Sequence, residues 1–377
     1  MTELAEKLAR LRRWLDATGF AGALLTAQPG VAWVTGGLED RVVRNEEPGL
    51  AWALVTASGA HLITTSIEAT RLVAEADLAG LTLHAVAWHD PGGLAGAVQR
   101  LMEDERLAAQ DKGLAGTGTR LATDGAGPGI AVPGELAALR LPLVAAEHER
   151  LAALGSDTAE VLQDALRDWI PAERECDLAA RIAAALEERL VFPSVLLVGG
   201  ARRRRAFRHP VPTTAATGPD VLAVVTGVRG GLTVSCSRSA SAGRPDPELQ
   251  ARHQAAAAVE TALIDATRPG RTWAQALAAG QAAYADAGFP DEWREHVQGG
   301  PVGYLSREFD VVPGTASAEA VIAAGTAFAW NPTVRGAKSE DTFILPADAL
   351  AREAVIAVTN TPDWPATADG RPDILRV

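Results

Sequence analysis

Phe328-Ala329-Trp330-Asn331-Pro332 passes through a turn at Gly336 into Lys338-Ser339-Glu340-Asp341-Thr342. Apolar runs interrupted by proline and glycine read as short strands, and the C-terminal part of the chain is strand-rich, with another turn at Pro313-Gly314. This stretch carries two groups that invite chemistry. Asn331, ahead of a proline, reads as a turn residue or as a polar group facing a site. Glu340, beside Asp341, reads as a site carboxylate or as the ion-pair partner of Lys338 or an arginine.

Working outward, Pro247 to Thr267 and Thr272 to Ala287 have helical patterns separated by Arg268-Pro-Gly-Arg271. Ahead of them, Ser194 to Val198, Val221 to Gly227 and Gly231 to Ser235 are strand candidates. Asp157-Thr-Ala-Glu160 has capping-box spacing, which predicts a helix from there toward Trp169 with Pro171 as its stop. A further Ala-rich amphipathic helix is expected over Arg174 to Leu190. Strand regions flanking a block of helices predict an α+β domain over residues 147–377.

Residues 1–146 read as a smaller α/β domain. Leu4, Leu8, Leu11 and Leu15 make an amphipathic helix that ends at Gly19. Ala21 to Leu25, Ala51 to Thr56 and His61 to Thr65 are short apolar strands, the last two forming a hairpin, with helices over Ile67 to Glu75 and Gly93 to Met102. The Gly- and Pro-rich stretch from Asp111 to Gly134 closes this part.

Length agrees with at least two domains, since 377 residues exceed what one hydrophobic core usually organises. A net charge of −12 argues against general affinity for nucleic acid or anionic membrane. The two cysteines, Cys176 and Cys236, cannot build a disulfide framework and suit a reducing cytoplasm. No apolar run approaches the roughly 20 residues of a membrane span, and the expected location is cytoplasmic.

Several short patterns occur in one order: Phe192-Pro-Ser194 leading through Gly199 to His209-Pro210, Gly231 through Arg238-Ser239, Pro269-Gly270-x-Thr272, His296-x-x-Gly299-Gly300-x-x-Gly303, then Asn331-Pro332 and Lys338-x-Glu340-Asp341. Together they resemble the creatinase, prolidase and aminopeptidase P family of Xaa-Pro peptidases, whose C-terminal domain has the pita-bread fold. The resemblance implies that fold, with the family's extra α/β domain ahead of it.

Family members hold two divalent ions with two Asp, one His and two Glu. By the same resemblance the first Asp falls on Val224 or Val225, the second on Ser235 or Cys236, the His on Gly300 and the first Glu on Asn331. Only Glu340 keeps its type. Valine and glycine offer no ligand, and a lone carboxylate does not clamp a hard cation that takes six or so oxygens. The expectation is a degenerate site with no metal and no other cofactor.

The family's metal-independent histidines fall on His209 and His296, a third falls on Arg307 beside Glu308, and its Arg falls on Lys338. His209, His296 and Glu340 are therefore the catalytic candidates, and Arg307, Glu308, Asn331, Lys338 and Ser235 the substrate-binding ones. Arg202 to Arg205 with Arg208 form the densest basic cluster, read as a solvated loop or as an anion-recognition element leading into His209. Two functions compete: a metal-independent C–N hydrolase, or a non-catalytic pseudo-enzyme that binds a small peptide or amide-like ligand. A metal-dependent Xaa-Pro dipeptidase or aminopeptidase with unrecognised ligands is the alternative. The resemblance also implies a homodimer in which polar residues between Glu39 and Glu47 reach the neighbouring site.

Overall fold

The computed structural model describes residues 2–44, 49–111, 119–346 and 355–377. Part of the Glu39–Glu47 segment, from residue 45 onward, lies outside them. The chain divides into two compact units, Met1–Arg140 and Leu141–Val377.

In the first unit a helix at Glu3–Thr18 begins where the Thr2 hydroxyl accepts from Ala5 N, and it stops at Gly19, whose N–H reaches back to Leu15 O. Leu8, Leu11 and Leu15 are buried, as a stripe at helical spacing requires. The sheet comprises β1 (Gly22–Leu25), β2 (Ala51–Thr56), β3 (Ala60–Thr65), β4 (Thr82–Val86), β5 (Leu121–Thr123) and β6 (Ile130–Ala131), in the order β4-β3-β2-β1-β5-β6. The expected β2–β3 hairpin is present.

The second unit carries the site. β7 (Phe192–Gly200), β8 (Asp220–Arg229) and β9 (Leu232–Ser241) form a meander, extended by the C-terminal strand Leu375–Arg376 alongside β9. A further sheet contains β10 (Gly299–Val302), β11 (Ala327–Trp330) and β14 (Asp341–Ile344), ending in Ile356–Ala357. Between β11 and β14, Thr333–Val334 (β12) pairs with Ala337–Lys338 (β13) around the Gly336 turn. Two long helices, Pro247–Ala266 and Trp273–Asp286, pack Leu263, Trp273 and Tyr284 against Phe328 and Trp330. Each such fully buried side chain contributes about 1.5–3 kcal/mol.

Side-chain bonds knit the two sheets where the site forms. Thr342 Oγ1 accepts from Ser235 N at 2.8 Å and donates to Ser235 O at 2.9 Å, and Ser237 N donates to Glu340 O at 3.0 Å. The threonine hydroxyl thus stands in for a strand partner and brings β9 against β14.

The helix expected from Asp157 starts earlier, at Ala145, and runs to Arg167. Its N-terminus is held by Glu147, whose carboxylate accepts from Val144 N at 2.7 Å. Gly155-Ser156-Asp157 mimics a break and a cap, but Gly155 lies mid-helix for another reason. A Cβ there would sit 2.2 Å from Val358 O, so the glycine admits a crossing backbone. Asp157 pairs instead with Arg229 and Arg189, at 2.6 and 3.4 Å.

The basic run is not a solvated loop either. Ala201–Ala206 is a short helix, and Arg204 is buried, donating to Gly336 O at 2.6 Å and pairing with Asp220 at 3.3 Å. Arg203 pairs with Glu175 at 2.9 Å and Arg205 with Asp246 at 3.3 Å. A buried guanidinium needs such partners, which charge density alone could not name. Among the described residues, no helix is long and apolar enough to cross a membrane.

Candidate ligand-binding site

A cavity of about 560 Å³ opens in the second unit between the β7–β9 meander and the β11–β14 segment. His209, Ser235, His296, Arg307, Asn331, Lys338 and Glu340 all line it. Glu308 does not: its carboxylate accepts from Tyr304 N at 2.9 Å and shapes the loop that carries Arg307. His296 lies ahead of β10, at the end of the short 3-10 turn Glu292–Glu295, and not on the strand itself.

Strand alternation settles which residues face the cavity. β8 and β9 pair Thr226 with Ser235 and Val225 with Cys236, so the two pairs point to opposite faces. Val224, Thr226 and Ser235 line the cavity, and the Thr226 and Ser235 hydroxyls share a hydrogen bond of 2.9 Å. Cys236 is fully buried on the other face, where burial pushes its thiol up to about 12. It is not a nucleophile at neutral pH. Thr226, Val195 and Leu197 escaped the sequence reading, although the period of two in β7 and β8 could have found them.

The inner end of the cavity is built on Glu340. Its Oε2 lies 3.4 Å from Lys338 Nζ and its Oε1 3.3 Å from Arg307 Nη2. Lys338 and Glu340 are only 5% and 3% exposed, so the pair is held out of bulk water. Burial pulls the Lys338 ammonium below its ordinary value; Glu340 opposes that shift and Arg307 adds to it. Asn331 donates its backbone N–H to Gln298 O at 2.9 Å, while its buried side-chain oxygen has no partner among the described residues.

Across from this trio the two histidines meet, Nε2 to Nε2, at 3.0 Å. His296 Nδ1 faces the Val297 carbonyl, which can only accept, so that nitrogen carries the proton. Burial first, then Lys338 and His209, pull the His296 imidazole down to about 3, so the ring is neutral and its Nε2 is a lone pair. His209 must then donate from Nε2, leaving its own Nδ1 as an acceptor. Burial and Lys338 lower His209 as well. Arg208 stands at the wall, tied to Glu292 at 2.6 Å and to Thr333 Oγ1 at 3.0 Å.

The sequence pattern of metallopeptidase family M24 matches residues 149–351, more than half of the chain. The chain belongs to that family. The creatinase/prolidase N-terminal domain matches residues 7–124 of this M24 chain, completing the two-part architecture. Among solved structures it resembles dipeptidase PepE from Mycobacterium ulcerans, with 22% identity over 100% of this chain and 98% of that one, TM-score 0.72. It also resembles the prolidase from Pyrococcus horikoshii OT3, with 14% identity over 94% and 98%, TM-score 0.71. The N-terminal domain of the FACT complex subunit SPT16 from Cicer arietinum (chickpea) shares the fold too, with 12% identity over 95% and 96%, TM-score 0.67. No curated protein matches by sequence. At such identities the solved structures show the fold, which proteins described as peptidases share with one described otherwise.

The side chains of this M24 chain do not fit the metal pair that the resemblance implies. At the positions in question Val224 and Ser235 face the cavity, Asn331 supplies an amide, and Gly300 supplies nothing. Among the described residues, no group of three His, Cys, Asp or Glu is placed to hold a metal. Gly300 has φ +155°, and a Cβ there would lie 2.8 Å from Phe309 O and 3.1 Å from Val311 Cγ2. The backbone at this point is shaped for glycine, and any side chain, histidine included, would be strained.

Proposed function

We propose that this Xaa-Pro peptidase relative is a metal-free homologue that binds a small peptide or amide-like ligand in the cavity without cutting it by metal-delivered water. The observation that carries this reading is the ion-pair trio at Glu340. The one surviving carboxylate of the expected ligand set is already shared between an ammonium and a guanidinium, at 3.4 and 3.3 Å. A divalent cation would have to displace both, with one carboxylate to hold it.

A metal-independent hydrolase is the second reading, and one observation favours it. The tautomers leave Nδ1 of His209, a residue that lines the cavity, as a neutral acceptor, which is what a general base requires. Ser235 Oγ is engaged with Thr226, so in this reading His209 would take the proton from water.

The test is a panel of Xaa-Pro dipeptides and their amides, followed by free-amine release and by thermal shift, with chelator and with added Mn²⁺. The binding reading expects stabilisation without turnover in either condition. Chelator-resistant turnover lost in His209→Asn would replace it with the hydrolase. Turnover that appears with Mn²⁺ and disappears with chelator would overturn both.

A further inference from the structure

We propose that Glu260, which stands behind the cavity wall, is the positioning residue that directs Lys338 and Glu340 into the cavity. Glu260 lies on the buried face of the helix Pro247–Ala266, fully shielded from solvent, and is not among the residues that line the cavity. Its two carboxylate oxygens are divided between the two residues that flank Glu340. Oε2 accepts from Ser339 Oγ at 2.5 Å and Oε1 accepts from Asp341 N at 3.0 Å.

The span that Glu260 grips belongs to no strand. β13 ends at Lys338 and β14 begins at Asp341, which leaves Ser339 and Glu340 between them. Buried backbone in such a link must find its partners elsewhere. Ser339 N donates to Pro332 O at 3.2 Å, and Glu340 O accepts from Ser237 N at 3.0 Å. Glu260 adds two further ties from one helix, on either side of Glu340. With both neighbours held, the Glu340 carboxylate and the Lys338 ammonium stay 3.4 Å apart in the cavity wall.

A fully buried carboxylate is unfavourable where packing alone is needed, since an apolar side chain would fill the same space. At Glu260 the surrounding charge is balanced. Asp341 pairs with Arg238 at 2.9 Å and with Arg371 at 3.5 Å, and Arg371 also opposes the burial that pushes the Glu260 carboxyl up to about 7. Both protonation states can hold the link. The ionised group accepts from both partners; the protonated group donates from Oε2 to the Ser339 hydroxyl, which accepts as readily as it donates. Glutamine keeps the same two options, with Oε1 for Asp341 N and Nε2 for Ser339 Oγ. Alanine has neither, so the two substitutions separate a grip from a charge.

His209 reports on the outcome. Its imidazole is held below the ordinary value by burial and then by Lys338, so its titration follows where Lys338 stands. This role holds whatever the cavity takes, and its test needs neither ligand nor turnover. The full chain is studied by NMR in chelator, following the His209 titration and the hydrogen exchange of the Asp341 amide. Glu260→Ala should raise the His209 midpoint by about half a pH unit or more toward its ordinary value. It should also cut the protection of the Asp341 amide by about tenfold or more. Glu260→Gln should keep that amide protected and leave His209 at or slightly below the wild-type midpoint, because a negative charge behind Lys338 is gone. Leu263→Ala, on the same helix but packed on Gly280, should lower the melting temperature and leave the His209 midpoint in place. Should Glu260→Ala not fold, Ser339→Ala removes one of the two ties and should raise His209 in the same direction. The role is overturned if Glu260→Gln behaves like Glu260→Ala, if Leu263→Ala moves His209 as far, or if His209 does not move in folded Glu260→Ala or in Ser339→Ala.

Discussion

Lys338 Nζ and Glu340 Oε2 face each other at 3.4 Å in the wall of the cavity, both almost fully shielded from solvent. Lys338 closes β13 and Glu340 stands just ahead of β14, so the two short strands bring the pair together across the Ser339 link. What ordinarily makes a buried carboxylate costly is offset here by the ammonium on one oxygen and Arg307 on the other.

Breaking the pair from one side should therefore be severe. Lys338→Met leaves Glu340 with a single guanidinium partner, and we expect a loss of about 3–5 kcal/mol in unfolding free energy by denaturant titration. A loss below about 1 kcal/mol would show that the pair contributes no more than an exposed one.

Gly300→Ala should destabilise by about 1–3 kcal/mol, because its φ of +155° disfavours any side chain and Phe309 O leaves no room. For the same reason Gly300→His should not create metal affinity, even when combined with Asn331→Glu and Ser235→Asp. Calorimetric titration of the triple variant with Mn²⁺ checks this, and tight binding there would mean that the backbone adapts.

Tyr284 supports the cavity from behind. Its hydroxyl donates to Gln298 Oε1 at 2.9 Å and accepts from Thr333 N at 2.9 Å, while Gln298 Nε2 donates to His296 O at 2.7 Å. Tyr284→Phe leaves the Thr333 N–H unsatisfied and releases Gln298. The expected cost is about 1–3 kcal/mol, with a shifted His296 imidazole signal by NMR. An unmoved His296 signal would detach Tyr284 from the site.

How much of this could be read from the sequence depended on what each residue had to satisfy. The order of short motifs identified the pita-bread unit, and the leucine spacing before Gly19 and the helical pattern opening at Thr272 are local signals that the structure repeats. Ser235 and Cys236 could not be separated because their order along the chain says nothing of register, whereas the pairing of Thr226 with Ser235 decides it. Arg204 reads as surface charge until Asp220 and Gly336 are seen around it. Gly300 is visible as a missing ligand, but its backbone angle, which makes the loss hard to reverse, belongs to the contact with Phe309.

Acid should act through the histidine pair. The folded His296 pKa of about 3 lies below its ordinary 6.5, so between these values the unfolded chain binds the extra proton. Stability is fully present above about pH 6.5 and declines as pH falls toward 3, by up to about 1.4 kcal/mol per pH unit for this group. His296→Asn should flatten the fall in melting temperature between pH 6.5 and pH 4 relative to the wild type. Parallel curves would show that His296 is not held neutral.

The most direct test of the metal-free site is the metal stoichiometry of the full chain. Protein purified without chelator is incubated with excess Mn²⁺ or Zn²⁺, desalted, and analysed by elemental mass spectrometry. We predict well under one ion per chain for either metal, because Glu340 is committed to Lys338 and Arg307 and the neighbouring positions carry no ligand set. About two ions per chain, with Xaa-Pro hydrolysis that chelator abolishes, would contradict the account.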